Sequence, residues 1–313
     1  MIITITLNPA LDRTIRIEQS LIPMRLNRAI GSMVEPGGKG INVSRAIKAL
    51  GGISVALGFC AGSNGRFLKD SLTSADIHHD FVDVPGETRV NIQVIGADGE
   101  HTEINEPGSK INDADYLRFL DRMDNYLYPE NSFVITGSLP PEFSMQNYIK
   151  ICKKIKKAGC SLIIDASGEH LLEALKLEPD FVKPNIFELA EAIGEQASTD
   201  PEVVVKQAKK LLDMGAKAVC VSMSHEGAVF VSKAEKEALY VNSNPKIEDC
   251  GAVGTGDAMV GAIANSMENG LSFVELAKYT VATGRACARL AGTEMATLKR
   301  VFEVYETLEV YTV

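Results

Sequence analysis

The chain has no tryptophan, only five histidines, and six cysteines that form no CxxC pair. Disulfide frameworks and zinc sites need cysteines or histidines at short, regular spacings, so neither is expected here. No acid or cysteine stands at metal-ligand spacing around the adjacent pair His78 and His79, and a structural metal is therefore not expected. The cysteines are interpreted as reduced and buried: Cys60, Cys152, Cys160, Cys220, Cys250 and Cys287.

The chain also lacks a long apolar run, and residues 1–13 have neither the basic start nor the apolar stretch of a signal peptide. We therefore expect no membrane anchor and a cytoplasmic location. The 32 Lys and Arg are outnumbered by 41 Asp and Glu, and the net charge of -9 argues against a nucleic-acid partner. The densest basic run, residues 150–157, carries apolar residues at helical spacing and is interpreted as the solvated face of a helix.

Two nucleotide-binding fingerprints are missing as well. The P-loop pattern, GxxxxGK followed by Ser or Thr, occurs nowhere in the chain, which excludes a P-loop NTPase. The GxGxxG dinucleotide fingerprint fails because Met259 stands where its third glycine would be. The interpretation as a dinucleotide-dependent dehydrogenase is therefore left without support.

What the chain does contain is a glycine loop at residues 250–261 that leads into an apolar pattern of helical spacing. Gly254 and Gly256 have no Cβ, so backbone N–H groups can approach an oxyanion, and the dipole of the following helix favours negative charge there. Asp257, in the first turn, can stay ionised and accept a proton from a hydroxyl held beside a phosphate. The loop therefore predicts phosphoryl transfer, and an ordinary helix start with an acid in its first turn is the alternative.

A second glycine loop, residues 37–40, begins another helical pattern that ends at residues 51–52. Its glycines let the backbone approach a ligand closely, Asn42 offers an amide to hydroxyl groups, and Lys39 brings a positive charge. A lysine in such a loop is a reasonable phosphate ligand. The second loop is therefore a candidate for the other half of the site.

Beyond residue 107, strand and helix patterns alternate, which predicts an α/β fold with a doubly wound, mostly parallel sheet flanked by helices. Because the carboxyl ends of parallel strands meet at one edge of such a sheet, polar residues that follow the strands are site candidates. They are Asp12, Ser138, Asp165, Asn185 and Ser222. Asp12 alone equally suits a turn-capping residue. We expect strands near residues 2–7, 54–59, 133–135, 161–164, 181–182 and 218–221, with helices near residues 67–74, 145–157, 188–193 and 201–214.

Residues 89–95 alternate between apolar and polar side chains, and residues 101–104 supply a return strand after a turn at Asp98 and Gly99. This pattern predicts a β-hairpin with one half-exposed face. Together with short strands near residues 15–17 and 28–34, the second ended by Pro36, the hairpin is expected to form a small sheet beside the main core. We interpret this sheet as a lid, and also as a dimerisation surface, because its apolar face needs a cover.

Six stretches, in this order, strongly resemble the ribokinase-like, PfkB-type carbohydrate kinases. They are TLNPALD at 6–12, GGKGINVSRA at 37–46, TEINEPG at 102–108, GSLPP at 137–141, KPNIFE at 183–188 and GAVGTGD at 251–257. The resemblance implies one ribokinase-like domain over residues 1–313, with lid strands from about 12–35 and 87–106, and ATP and Mg²⁺ as cofactors. It also implies that Asp257 is the general base and that the backbone of Gly254, Thr255 and Gly256 forms the anion hole.

The same resemblance implies ATP-binding roles for Lys183, Asn185, Ser222 and Gly227, and a role for Glu188 in organising Mg²⁺. Taken alone, Asn185 and Glu188 are more often a helix cap. Ser224 stands where the family usually has glycine, which puts the close approach of this loop to ATP in doubt. Ala258 replaces the more frequent serine, with little expected consequence because alanine is a good helix former.

Lys39 narrows the substrate, because family members that act on unphosphorylated sugars or nucleosides usually carry a small residue there. Arg89, at the start of the lid hairpin, adds a second cation, and two cations fit a dianionic sugar phosphate. The resemblance favours fructose 1-phosphate, giving fructose 1,6-bisphosphate, with tagatose 6-phosphate as the alternative and a non-catalytic sugar-phosphate sensor as a third possibility. A homodimer through the lid sheet is expected. The sugar hydroxyls are expected to contact Asp12, Gly38, Asn42 and Ser138.

Overall fold

A computed structural model of the chain describes residues 1–97, 99–243, 254–290 and 292–313. The strands are β1 (Ile2–Thr6), β2 (Ala10–Ile17), β3 (Ala29–Gly37), β4 (Ser54–Ala61), β5 (His78–Val84), β6 (Arg89–Ile95), β7 (His101–Asn105), β8 (Ser132–Thr136), β9 (Ser161–Asp165), β10 (Phe181–Val182), β11 (Ala218–Ser222), β12 (Ala228–Ser232), β13 (Leu239–Ser243) and β14 (Leu308–Thr312). The α-helices are α1 (Lys39–Ala49), α2 (Gly62–Ser74), α3 (Asp113–Asp124), α4 (Met145–Lys157), α5 (Gly168–Leu175), α6 (Ile186–Ile193), α7 (Pro201–Asp213), α8 (Thr255–Glu268), α9 (Phe273–Ala288) and α10 (Leu298–Tyr305).

The large sheet has ten strands in the order β14-β13-β12-β11-β10-β9-β8-β1-β4-β5. Pairing is parallel from β11 through to β5, and β12, β13 and β14 continue the sheet in antiparallel fashion. The predicted doubly wound, mostly parallel sheet is therefore confirmed. The antiparallel extension was not predicted from the sequence.

Helices cover both faces of the large sheet. All five residues of β1 are buried, and alternate side chains enter different cores, with Ile3 and Ile5 in one and Ile2 in the other. The first core takes side chains from α3, α4, α5 and α7, and the second takes side chains from α1, α8 and α9. Because β1 is buried on both faces, its two threonines, Thr4 and Thr6, are buried as well, and Thr4 forms a hydrogen bond with Ser44 of α1.

The small sheet has the order β3-β2-β6-β7, with β2 and β6 parallel and the other two pairs antiparallel. The four expected strands are present, but the predicted break at Pro36 is wrong, because β3 continues to Gly37. Since β3 lies at the edge of the sheet, the missing N–H of proline is tolerated. The predicted turn after β6 includes Asp98, which lies outside the described residues.

The two faces of the small sheet differ in character. The register places Asp12, Asn91 and Asn105 side by side on one face, which is turned towards a cavity between this sheet and the core. On the opposite face Ile92 pairs with Ile104, and Ile104 is 55% exposed. The small sheet therefore presents polar groups inwards and leaves part of an apolar surface uncovered.

The cysteines of the described ranges agree with the prediction. All five are free and buried, whereas Cys250 lies outside those ranges. The basic run falls on α4, whose Ile151 and Ile155 are buried while Lys154 and Lys156 form ion pairs. Among the helices of the described ranges, none is long and apolar enough to cross a membrane.

Candidate active site

Helix α8 begins at Thr255, within the glycine loop at residues 250–261. Residues 250–253 of this loop lie outside the described part of the chain. Gly254 is the N-cap and has a φ of 79°, a left-handed conformation that favours glycine. Having no side chain, Gly254 leaves the first amides of the helix uncapped, which suits an anion at this end. The hydroxyl of Thr255 is buried without a hydrogen-bond partner among the described residues. The helix start therefore offers donors to a phosphate.

Asp257 lies in the first turn of α8 and is only 7% exposed. Its Oδ2 accepts a hydrogen bond of 2.9 Å from Nδ2 of Asn42. Burial raises the pKa of Asp257 to about 7, and the carboxylate of Asp165 adds to this rise, while Asn42, Lys39 and Lys183 oppose it. A carboxyl group with a pKa near the working pH suits a general base.

Asp165 connects two lysines at the carboxyl end of β9. Its Oδ1 lies 3.2 Å from Nζ of Lys183, its Oδ2 lies 3.5 Å from Nζ of Lys39, and Thr136 donates to Oδ2 at 2.7 Å. Burial by itself would raise the pKa of Asp165, but the lysines and Thr136 outweigh it and hold that pKa below its usual value. Asp165 also raises the pKa of Lys39, so both lysines stay charged. The sequence placed Asp165 at this edge of the sheet but gave it no role.

Asp12 is held between the small sheet and the glycine loop at residues 37–40. Its Oδ1 accepts a hydrogen bond of 2.9 Å from Nδ2 of Asn91, and burial raises its pKa. A Cβ on Gly37 would lie 2.2 Å from Oδ2 of Asp12. A Cβ on Gly38, whose φ is 105°, would lie 2.9 Å from Cγ2 of Thr6. The glycines of this loop are therefore required by close packing around the carboxylate and β1.

Arg89 lies where the small sheet meets the core. Its Nη2 donates to the carbonyl of Asn8 at 3.1 Å and to Oγ of Ser138 at 3.2 Å, and its Nη1 donates to the carbonyl of Glu106 at 3.3 Å. These hydrogen-bond partners are neutral, and the carboxylate of Asp12 interacts electrostatically with the guanidinium. Arg89 therefore brings a fixed positive charge to the side of Ser138.

A cavity of about 600 Å³ between the small sheet and the core brings together most of the predicted site. The following residues, all predicted from the sequence as site residues, line this cavity: Asp12, Gly38, Lys39, Asn42, Arg89, Ser138, Lys183, Asn185, Glu188, Ser222, Gly254, Gly256 and Asp257. Sequence reasoning missed the polar side chains that β6 and β7 contribute, namely Asn91, Gln93, Glu103 and Asn105. The alternation of residues 89–95 was the available signal.

A second cavity of about 300 Å³ lies on the other side of the α8 N-terminus. Much of its wall is apolar, with contributions from Ile186, Phe187, Met259, Val281 and Ala288. The remaining predicted residues, Thr255 and Gly227, line this cavity. Both cavities are lined by Asn185, Ser222 and Gly256, so they adjoin where α8 begins.

The loop after β11 borders the second cavity and contains Ser224, which stands where the family usually has glycine. Ser224 has a φ of 53°, so the serine adopts a left-handed conformation in which glycine is more usual. The carbonyl of His225 in this loop accepts a hydrogen bond of 3.0 Å from Nη2 of Arg285, which lines the same cavity. The substitution therefore leaves the loop in the glycine-like conformation, with a buried arginine supporting it.

Asn185 and Glu188 form a capping box at the start of α6. The Asn185 side chain accepts from the backbone N–H groups of Phe187 and Glu188, and Oε2 of Glu188 accepts from the N–H of Asn185 at 2.9 Å. Within the described ranges, no three His, Cys, Asp or Glu side chains cluster closely enough to hold a metal ion by themselves. Mg²⁺ in kinases is commonly held by one or two carboxylates together with phosphate oxygens and water, and a single carboxylate beside the junction fits that donor set.

Comparison with known proteins gives the family. A sequence model described as pfkB family carbohydrate kinase matches residues 6–299. The chain belongs to the pfkB family of carbohydrate kinases. The 1-phosphofructokinase of Bacillus subtilis is 36% identical to it over 288 residues, which are 92% of this chain and 92% of that protein. The family and the enzyme class expected from the six motifs are thus confirmed.

Solved structures show the same fold. Phosphofructokinase-2 from Escherichia coli, in complex with fructose-6-phosphate, superposes on this pfkB-family kinase with a TM-score of 0.89 at 30% identity, covering 97% of this chain and 98% of that one. The same Escherichia coli enzyme is also known in a tetrameric inhibited form. Arabidopsis thaliana ribokinase, complexed with ribose and ATP, superposes with a TM-score of 0.78 at 20% identity and covers 97% of this chain and 98% of that one, which shows the fold alone. The expected ribokinase-like fold is confirmed.

Proposed function

We propose that this kinase transfers the γ-phosphoryl group of ATP to a phosphorylated ketohexose, and that the acceptor is fructose 1-phosphate. One observation carries the proposal: a largely apolar cavity and a strongly polar cavity adjoin at Gly256, beside Asp257. An adenine ring in the first and a sugar phosphate in the second would bring the γ-phosphoryl group and the acceptor hydroxyl together at this junction.

The polar cavity supports a sugar that already carries a phosphate. Lys39, with 49% of its side chain exposed, and Arg89 both line it, and neither is needed for an uncharged sugar. On the opposite wall the small sheet contributes amide and carboxyl groups that suit sugar hydroxyls, including Asp12 and Asn91. The likeness to a 1-phosphofructokinase favours fructose 1-phosphate. Tagatose 6-phosphate is the alternative acceptor.

Asn42 lines the polar cavity, where a sugar hydroxyl could contact it. Its side-chain N–H also donates to Asp257, so the amide contacts the base as well. Gly38 and Ser138 line the cavity with free access to a ligand. We therefore keep all the predicted sugar contacts and assign Asn42 a second contact, with the base.

The chemistry follows from the position of Asp257. Its carboxylate accepts the proton of the acceptor hydroxyl, the freed oxygen forms a bond to the γ-phosphorus, and the bond from that phosphorus to the β,γ-bridging oxygen breaks to release ADP. The amides at the start of α8 and the ammonium group of Lys183 stabilise the negative charge of the transferred group. Glu188 would hold Mg²⁺, which supplies charge neutralisation on the phosphates when bound. Ser222 and Gly227 would contact the nucleotide.

A comparison of acceptors tests this proposal. ATP-dependent ADP release is measured with fructose 1-phosphate, tagatose 6-phosphate, fructose 6-phosphate and free fructose, and kcat/KM is compared among the four. The largest kcat/KM is expected for fructose 1-phosphate and the smallest for free fructose. A preference for tagatose 6-phosphate would retain the mechanism and change the substrate, whereas no turnover with any of the four would favour the sensor.

We also propose that residues 1–313 form one domain in which the small sheet acts as a lid and pairs with the lid of a second copy. The uncovered apolar face around Ile92 and Ile104 supports this pairing, because water-exposed apolar surface of this kind is stabilised by a partner. A relative that assembles as a tetramer of its own chains supports a second copy as the partner.

A further inference from the structure

Arg45 lies on α1, one turn beyond Asn42, and its side chain is 18% exposed. Among the described residues that line the two cavities, Arg45 does not occur. It therefore has no direct path to either substrate. Its position nevertheless places it immediately behind the amide that contacts the catalytic carboxylate.

The guanidinium of Arg45 has four partners. Nη2 lies 3.0 Å from Oε1 of Glu35, and Nη1 donates to Oγ1 of Thr293 at 3.0 Å, to Oδ1 of Asn42 at 3.4 Å and to the carbonyl of Pro36 at 3.5 Å. Thr293 in turn donates to the other oxygen of Glu35 at 3.2 Å. Glu35 neutralises the charge and leaves the guanidinium fixed in one orientation.

These contacts join three parts of the site. Glu35 lies on strand β3 of the small sheet, directly before the glycine loop at residues 37–40, and Asn42 lies on the helix that follows this loop. Thr293 lies beside the α8 N-cap, since a Cβ on Gly254 would be 3.9 Å from Cα of Thr293. The guanidinium therefore holds strand β3, helix α1 and the N-terminus of α8 in one arrangement.

The contact with Asn42 determines which way its amide faces. Arg45 can only donate, so it attracts the carbonyl oxygen of the amide and repels the NH₂ group. With Oδ1 turned towards Arg45, Nδ2 is turned towards Asp257 and donates to Oδ2. The flipped amide would set an oxygen against the carboxylate and an NH₂ group against the guanidinium, and both contacts are unfavourable.

We propose that Arg45 is a positioning residue for phosphoryl transfer: it orients the amide of Asn42 so that the NH₂ group faces the carboxylate of Asp257. The inference rests on the proposed function of Asp257 as the base. The hydrogen bond from Asn42 lowers the pKa of Asp257, so its loss moves the titration of the base to higher pH.

The test is the pH profile of kcat for Arg45→Met at saturating ATP, Mg²⁺ and fructose 1-phosphate. Loss of one hydrogen bond to a charged group is expected to move the acid limb of the profile up by about 1 to 2 pH units. With a wild-type limb near pH 7, kcat falls about 5- to 50-fold at pH 7 and recovers as the pH rises above 9, because only the ionised fraction changes. A merely structural role would lower kcat by the same factor at every pH. Arg300→Met, on the exposed face of α10, is the control and should leave the profile unchanged.

A double-variant comparison identifies the route of the effect. Asn42→Ala should move the limb by itself, and adding Arg45→Met to it should give no further shift. The proposal would be overturned if the acid limb of Arg45→Met lay at the wild-type pH. It would also be overturned if adding Arg45→Met to Asn42→Ala moved the acid limb as far again as Asn42→Ala alone. If Arg45→Met does not fold, Arg45→Lys serves instead, because a single ammonium cannot contact Asn42, Glu35 and Thr293 together, and it should shift the limb in the same direction.

Failure of this inference is distinct from failure of the proposed function. If Asp257→Asn retains turnover, the base assignment fails and the acid limb belongs to another group. If Asp257→Asn is inactive while Arg45→Met keeps the wild-type limb, only the role of Arg45 is lost.

Discussion

The side-chain amide of Asn42 donates to the carboxylate of Asp257 across 2.9 Å and joins the two glycine-loop helices, α1 and α8. This contact is possible because the helices pack closely: a Cβ on Gly261 would lie 2.9 Å from Cβ of Ala46 and 3.2 Å from the carbonyl of Val43. Small residues at the crossing therefore set the distance at which the base meets its amide partner.

The pH dependence of turnover follows from the burial of Asp257. Because burial raises the pKa of this carboxyl group to about 7, the base is mostly protonated, and hence inactive, below that pH. We expect kcat to rise with pH, to reach half its maximum near pH 7 and to fall about tenfold for each pH unit below it. Initial rates at saturating substrates from pH 5 to 9 measure this. A kcat that stays constant between pH 5 and 8 would rule out a base with a raised pKa.

Lys39 is expected to bind the phosphate of the sugar. We predict that Lys39→Met raises KM for fructose 1-phosphate about tenfold or more, because a charge-assisted contact is lost, and leaves KM for ATP within about twofold. Lys48→Met is a matched control, since Lys48 lies on the same helix but pairs with Asp76 on the surface. Initial rates at varied concentrations of each substrate give both constants. Equal increases in the two KM values would contradict the assignment.

Gly227 is expected to be essential to the loop beside the second cavity. It has a φ of 97°, and a Cβ added there would lie 2.1 Å from the carbonyl oxygen of Val241, so Gly227→Ala must distort the loop. We expect a loss of about 1–3 kcal/mol in the free energy of unfolding, together with weaker ATP binding. Chemical denaturation and ATP titration measure the two effects.

Ser224→Gly is the control for Gly227→Ala, because it removes a side chain from a left-handed position instead of adding one. It should leave ATP binding unchanged or slightly stronger. If Gly227→Ala binds ATP as tightly as the wild type, the loop does not contact the nucleotide.

The lid surface predicts an assembly that one substitution can disrupt. Ile104→Glu places a charge on the uncovered apolar face and should convert the dimer into monomers at micromolar protein, because a buried unpaired carboxylate is costly. Leu117→Glu is the control: Leu117 is 62% exposed on α3, away from the small sheet. Sedimentation velocity distinguishes the two states. A monomeric wild-type protein would contradict pairing through the lid.

Local patterns in the sequence were sufficient for the βα units and for the residues that follow each strand. Asp165, Asn185 and Ser222 were placed at one edge of the sheet because a short apolar run ending in a polar residue is a local signal, and all three line the main cavity. Strand β6 of the small sheet was predicted for the same reason, since alternation within residues 89–95 needs no distant partner.

The remaining features depend on contacts between distant parts of the chain. Asn42 and Asp257 are 215 positions apart, and no local pattern indicates that the amide contacts the carboxylate. Two other sets of contacts also form only when separate elements meet. They are the ion pairs of Asp165 with two lysines and the hydrogen bonds of Arg45. The antiparallel strands β12 to β14 were not predicted, although Gly227 and the apolar run that follows it are a local signal for β12.

The measurement that tests the account most directly is turnover by Asp257→Asn, made together with the dissociation constants for ATP and fructose 1-phosphate. Removal of a positioned base is expected to lower kcat about 10²- to 10⁴-fold, while both dissociation constants stay within about twofold, because asparagine keeps the size of the side chain and its contact with Asn42. Turnover comparable to that of the wild type, with both substrates bound as before, would contradict the assignment of Asp257 as the base.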